Sequence, residues 1–266
     1  MPGIKIAGIQ MNCVVGEEER NLMKAFKMID QAVLSGAKLI CLPETFLTGY
    51  DLEYIKNKAL PLTNEFIDRL RVKAREAKTY ILAGIPIKTD KGVFNSSILF
   101  DVHGDIMGVY NKMHLFSMEE LYEPDFFLRG GPDFTVYDLG ICKIGMMICY
   151  DLRFPELSRK LMLNGADLLV AISAWPKKRM LQFRTVAASR AIENQLFVFV
   201  VNRTGIDNQI ELGGNTTLYN PLGEPVCGST DNDTEQVIVA EIDLDEISNN
   251  RRILKCLNDR LPNYGI

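Results

Sequence analysis

Apolar and polar positions alternate with a period of two along much of the chain, interrupted by segments with the period of a helix. Residues 4–12 alternate and predict a strand. Residues 17–35 carry Leu22, Phe26, Ile29 and Val33 on one helical face, with Gly36 placed to cap the end. Leu39-Ile40-Cys41-Leu42 predicts a short buried strand stopped by Pro43-Glu44. A second helix is expected over residues 64–78, where Phe66, Leu70 and Ala74 recur at spacing four. Strands are expected at 80–87, 93–100 and 106–111, with Thr89-Asp90-Lys91-Gly92 as a turn.

The acidic and aromatic stretch 112–131 predicts a long loop without regular structure, a kind of segment that is usually functional. Strands at 134–139 and 143–148, a helix at 154–163, a strand at 168–172, a helix at 179–194 and a strand at 196–201 complete the middle. The remainder reads as β-rich, with a turn at Asn220-Pro221-Leu222-Gly223, and ends in a short charged tail. Gly36-Ala37-Lys38-Leu39-Ile40 and Gly165-Ala166-Asp167-Leu168-Leu169 echo one another as helix end, turn and buried strand. Two α/β halves sharing a sheet layer would produce that echo. No Pro-, Gly- or Ser-rich linker separates them, so residues 1–266 are expected to form a single α/β domain with helix-covered sheets.

At 266 residues and 47% hydrophobic content, the chain can bury a large core. Its net charge of −4 and the absence of like-charge blocks argue against nucleic acid or an anionic membrane as partner. No apolar run approaches the roughly 20 residues of a membrane helix. The start of the chain lacks a secretory signal pattern, and six cysteines without a C-x-x-C pair read as reduced thiols, so a cytoplasmic location is expected. With two histidines and no H-E-x-x-H, no metal site is expected.

Three polar residues stand where apolar runs end: Glu44, Lys112 and Cys149. Strand ends of α/β sheets are where functional side chains converge on a fixed backbone. Singly, each has a plain structural reading, since free cysteine is commonly buried and charged residues at strand ends reach water. Together their chemistry is complementary. A thiol nucleophile needs a base, which Glu44 can supply, and Lys112 offers a fixed positive charge for thiolate and oxyanion. His114, two residues beyond Lys112 and on the same strand face, is the alternative base, although no asparagine partner is evident.

Leu42-Pro43-Glu44, the run Tyr110-Asn111-Lys112-Met113-His114-Leu115-Phe116, and Cys149-Tyr150-Asp151-Leu152-Arg153-Phe154-Pro155-Glu156 resemble the Glu, Lys and Cys signatures of the nitrilase superfamily of carbon–nitrogen hydrolases, in the family's order. Ala191-Ile192-Glu193-Asn194-Gln195 is also similar to a family segment. The resemblance implies a four-layer αββα sandwich and a homodimer or higher homo-oligomer, with the tail from about residue 245 to 266 at the interface. It implies Glu44 as general base, Lys112 as oxyanion stabiliser and Cys149 as nucleophile. The backbone amide of Tyr150 would share the oxyanion, and a thioester intermediate would form without cofactor or metal. A second glutamate follows the lysine in many members. Glu119, Glu120 and Glu123 compete for that place, and Glu123 fits the spacing best.

The residues after the cysteine, Tyr-Asp-Leu-Arg-Phe-Pro-Glu, are similar to the ω-amidase branch, as is Ser173-Ala174-Trp175-Pro176. The substrate implied is the monoamide of a small dicarboxylate, such as 2-oxoglutaramate, contacted by Tyr150, Arg153 and Trp175. Arg153, Lys177, Lys178 and Arg179 are candidate cations for its carboxylate. Against this, Arg153 has Glu156 three residues on as an ion-pair partner, and Lys-Lys-Arg suits a solvated helix start. The alternatives are a nitrilase or aliphatic amidase for neutral substrates, and a non-catalytic interaction subunit on the same scaffold.

Overall fold

The computed structural model describes residues 3–118, 121–228 and 234–261. Strand β1 (Ile4–Gln10) leads through helix α1 (Glu18–Leu34) to β2 (Leu39–Cys41), then through α2 (Leu52–Lys58) and α3 (Glu65–Ala77) to β3 (Tyr80–Lys88), β4 (Val93–Phe100) and β5 (Ile106–Asn111). A two-residue ribbon, β6 (Ser117–Met118) and β7 (Leu121–Tyr122), precedes β8 (Val136–Asp138) and β9 (Lys143–Ile148). Then come α4 (Pro155–Leu163), β10 (Leu168–Ser173), α5 (Met180–Asn194) and β11 (Phe197–Asn202), followed by the hairpin β12 (Thr204–Asp207) and β13 (Ile210–Gly213). The chain closes with β14 (Thr217–Tyr219), β15 (Pro225–Gly228), β16 (Gln236–Ile242), α6 (Asp245–Ile253) and α7 (Cys256–Asp259).

Two six-stranded sheets result, in the orders β16-β1-β2-β3-β4-β5 and β15-β14-β11-β10-β9-β8. The halves match strand for strand. β1, β2 and β3 are parallel and then continue antiparallel into β4 and β5, just as β9, β10 and β11 continue into β14 and β15. The internal echo therefore marks a duplicated topology. Instead of sharing one sheet layer, the halves build two, because the parallel strands of each half find their neighbours locally through crossover helices, and only β16 from the C-terminal half crosses back to pair with β1.

Period-two alternation sets which face each side chain joins. On β2 and the residue after it, Leu39 and Cys41 pack into the core between the sheets, while Ile40 and Leu42 pack beneath α1 and α3. α4 and α5 cover the other sheet through Leu157, Leu161, Phe183 and Ala187, giving the four-layer αββα sandwich. Small residues let the sheets approach: a Cβ on Gly8 would fall 2.8 Å from the Phe199 ring. The helix on residues 17–35 is where periodicity puts it, but its buried face is centred on Leu22, Ala25, Ile29 and Ala32, with Phe26 and Val33 at the margin. Gly36 takes the left-handed conformation (φ +86°) expected after a helix end.

Candidate active site

The ends of β2, β5, β9 and β10 meet at one edge of the sandwich. Glu44 follows β2, Lys112 follows β5, Cys149 follows β9 and Ala174 follows β10. Lys112 Nζ lies 2.9 Å from Glu44 Oε1 and 2.9 Å from Glu123 Oε1, with all three side chains fully buried. The remaining acceptor capacity is filled by the scaffold. Asn95 Nδ2 donates to Glu44 Oε1 at 2.8 Å, and the Ala174 N–H donates to Glu44 Oε2 at 2.7 Å. The Tyr50 hydroxyl donates to Glu123 Oε1 at 2.5 Å, and the Phe116 N–H to Glu123 Oε2 at 2.6 Å. Buried charge is tolerated only when paired and hydrogen-bonded, and here each carboxylate oxygen has a donor.

Burial by itself would push the Lys112 ammonium down, but the carboxylates of Glu123 and Glu44 outweigh it and hold it well above the usual lysine range. Cys149 is pushed well above the usual thiol range, first by burial and then by Glu44, with Lys112 pulling the other way. Burial and the Glu44 carboxylate thus both favour the protonated thiol over the thiolate, against the pull of Lys112.

Cys149 occupies a strained turn. It has φ +47° where β9 breaks into a single 3-10 turn, Cys149–Arg153, that delivers the chain to Pro155 at the start of α4. A non-glycine residue in that region costs about 1–3 kcal/mol and persists only where its surroundings over-determine it. Here Asp151 accepts the Ile148 N–H at 3.0 Å, while Arg190 donates to the carbonyls of Leu152 (2.9 Å) and Arg153 (3.0 Å).

A pocket over Cys149 is lined by Tyr50, Phe116, Tyr150, Arg153, Trp175 and Arg179, among others. Arg153 lies over the Trp175 ring (4.8 Å) and the Tyr150 ring (6.0 Å) and donates to Gln182 at 2.9 Å. Burial, then the nearby charge of Arg179, lowers the Arg153 pKa. Arg179 donates to the thioether of Met118 at 2.8 Å. A wider groove beside the pocket, between Pro176–Lys178 and Asn208–Glu211, has none of the buried triad in its walls.

The structure thus brings Glu44, Lys112, Glu123 and Cys149 together, with Tyr150, Arg153 and Trp175 around the pocket mouth. Glu119 and Glu120 lie outside the described residues. Several expectations change. The stretch 112–131 is not structureless, because the ribbon β6–β7 and a 3-10 turn at Glu123–Asp125 fold it over the site and carry Glu123 inward. β5 ends at Asn111, so His114 is not on a strand. Its Nδ1 lies 2.7 Å from Asp151 and its ring stacks on Phe154 at 3.7 Å, which commits it to the scaffold. Arg153 forms no ion pair with Glu156 among the described residues; it turns to the aromatic rings instead. Of the Lys177-Lys178-Arg179 run, the lysines are exposed as a solvated helix start predicts, but Arg179 is half-buried in the pocket wall.

The sequence reading missed Tyr50, Asn95 and Asp151. Asn95-Ser96-Ser97 inside an otherwise apolar strand was the available signal for Asn95, since buried polar residues need partners.

Fold and site together define a carbon–nitrogen hydrolase. The chain belongs to that family, whose model matches residues 5–252. It is 35% identical over 262 residues to a protein named nitrilase from Pyrococcus abyssi, covering 96% of this chain and 95% of the relative. It is 30% identical over 256 residues to 2-oxoglutaramate amidase of Bacillus subtilis, covering 96% of each. Among solved structures it is similar to a CN-hydrolase superfamily protein of Xanthomonas campestris with an arsenic adduct in its active site. The TM-score is 0.90 at 26% identity, with 99% of each chain covered. The relatives named 2-oxoglutaramate amidase and omega-amidase support the ω-amidase branch within the superfamily.

Proposed function

We propose that the chain is a cysteine-dependent amidase that releases ammonia from the terminal amide of a small carboxylic acid, with 2-oxoglutaramate as the type of substrate. Glu44 accepts the thiol proton as Cys149 Sγ bonds to the amide carbon, and the carbonyl electrons move onto oxygen. The Lys112 ammonium and the Tyr150 N–H receive that oxyanion. When the carbonyl re-forms, the C–N bond breaks, the proton held by Glu44 passes to the departing nitrogen, and a thioester remains. Water, deprotonated by Glu44, attacks the thioester; the C–S bond breaks and the sulfur recovers its proton. Glu123 holds the ammonium of Lys112 through a second ion pair.

The observation that carries the choice of an acidic substrate is the convergence of Arg153 and Arg179 on the pocket over Cys149. Two like charges in a largely aromatic cleft favour an anion between them, and arginine suits a carboxylate. The Bacillus subtilis relative supports the same choice. A second reading, a nitrilase or amidase for neutral substrates, is favoured by the Pyrococcus abyssi relative. Ammonia release from 2-oxoglutaramate, a neutral aliphatic amide and a neutral nitrile separates the two. The proposal expects kcat/KM for 2-oxoglutaramate to exceed both by about tenfold or more, roughly 1.4 kcal/mol of transition-state preference. Equal or reversed values overturn it, and so does turnover in Cys149→Ala. The same reading holds that the enzyme acts in the cytoplasm as a homodimer, with the segment from residue 245 at the interface. Ile253 and Leu254 are exposed there, and sedimentation at several concentrations tests the assembly.

A further inference from the structure

The fully buried guanidinium of Arg203, just beyond β11, touches none of Glu44, Lys112, Glu123 and Cys149, yet is joined to the two carboxylates, Glu44 and Glu123, through intermediate residues. One arm reaches Thr45, the residue after Glu44: Arg203 Nη1 donates to Thr45 Oγ1 at 3.3 Å. Thr45 is fully buried and left-handed at φ +50°, a conformation a β-branched residue avoids unless held. The other arm runs through Asp207, whose Oδ2 lies 2.7 Å from Arg203 Nη2 and accepts the Tyr50 N–H at 2.7 Å. Tyr50 in turn places its hydroxyl 2.5 Å from Glu123 Oε1. Arg203 Nη2 also donates to the Cys13 carbonyl at 2.8 Å, which anchors the guanidinium to the chain just beyond β1. An arginine this deep exposes no charge for binding, and its Nε has no partner among the described residues. Its placement is explained by what it holds.

We infer that Arg203 is a positioning residue for the reaction, setting Glu44 through the strained Thr45 turn and Glu123 through Asp207 and Tyr50. Lys112 then sits between two carboxylates fixed by one remote ion pair. This inference rests on the catalytic roles proposed above for Glu44 and Glu123.

Removing either partner alone strands the other's buried charge, so one change that keeps the shape is set beside one that removes both charges. Asp207→Asn keeps the shape and removes the charge, and Arg203→Met combined with Asp207→Asn removes both charges, a replacement that buried ion pairs often tolerate. The expected result for either folded variant is a fall in kcat of about tenfold or more with KM within about twofold, the signature of lost transition-state geometry. Alkylation of Cys149 by chloroacetamide slows in step, because it depends on the same base. A purely structural role would lower the unfolding midpoint and leave both rates per folded molecule unchanged, and that result overturns the inference. If the paired variant does not fold, Asp207→Asn decides by the same two rates. Wild-type protein as inactive on every amide as Cys149→Ala would instead strike the proposed function and would register separately.

Discussion

The hydroxyl of Tyr110, on β5 of one sheet, donates at 2.7 Å to the buried carboxylate of Asp151, two residues past Cys149 on the other. The same carboxylate accepts the Ile148 N–H just before Cys149 and the His114 N–H two residues after Lys112, each at 3.0 Å. One side chain therefore ties the segment bearing the proposed nucleophile to the segment bearing the proposed oxyanion cation. Its four contacts fix their separation more firmly than the open edge of a sandwich would alone. Asp151→Asn presents an amide N–H to a site full of donors and is expected to cost about 1–3 kcal/mol, with Tyr110→Phe costing about 1 kcal/mol. Denaturant unfolding and ammonia release should fall together in Asp151→Asn. Unchanged values for both would mean the carboxylate is not the tie described.

Gly84 on β3 packs against the turn that carries Glu44. A Cβ there would stand 2.5 Å from the Pro43 carbonyl oxygen, 2.7 Å from Glu44 Cα and 2.8 Å from Ile172. Two of these atoms are backbone, so the strain cannot be relieved by rotating a side chain. Gly84→Ala is expected to cost about 1–3 kcal/mol as overpacking and to displace Glu44. The measurable result is a kcat loss larger than the change in unfolding midpoint explains. A variant with normal kcat would show that the turn has slack.

The sheets and the cluster of Glu44, Lys112 and Cys149 were legible in the sequence for a common reason: period-two alternation marks each strand, and these three residues interrupt it at strand ends. Helices that bury little were not. α2 has seven residues with Leu52 and Ile55 buried, and α6 buries only Ile247, so it reads as a charged tail. The fold of residues 112–131 onto the site depends on Glu123 finding Tyr50 and Lys112 from distant segments, which no local pattern records. Arg203 escaped attention for the same reason, although a charge directly after six buried positions of β11 is itself a sign of burial with a partner. Partners contributed by the opposite sheet are invisible to periodicity.

Burial holds the Cys149 thiol well above its ordinary range, which fixes the direction of its pH effect. The folded thiol keeps its proton to a higher pH than the unfolded one. Its contribution to stability is present below the unfolded value, near 8.5, and is lost as pH rises towards the folded value. Lys112, also raised in the fold, acts in the same alkaline direction. Wild-type protein should therefore lose stability above about pH 8.5 more steeply than Cys149→Ala. Its kcat/KM profile should lack a rising limb from free-thiol ionisation. Difference ultraviolet absorbance between wild type and Cys149→Ala checks the ionisation directly. A thiolate signal at neutral pH would show that Lys112 outweighs burial and the carboxylates.

Arg153 and Arg179 face one pocket, and the charge of Arg179 helps lower the pKa of Arg153, so an anion between them relieves a repulsion present in the free protein. Arg153 keeps its hydrogen bond to Gln182 and its place over the Trp175 ring, and it is the better oriented of the two. A charge-assisted hydrogen bond contributes about 1.5–3 kcal/mol, so Arg153→Met or Arg179→Met should raise KM for 2-oxoglutaramate about 10–100-fold. Turnover of a neutral amide should change by no more than about twofold, since its carbonyl meets the same oxyanion donors. The product 2-oxoglutarate should raise the melting midpoint of the wild type but not of Arg153→Met combined with Arg179→Met, because only binding to the native pocket shifts that equilibrium. If both arginine variants lose activity on charged and neutral amides alike, the guanidinium groups support the pocket walls and the substrate's carboxylate is read elsewhere.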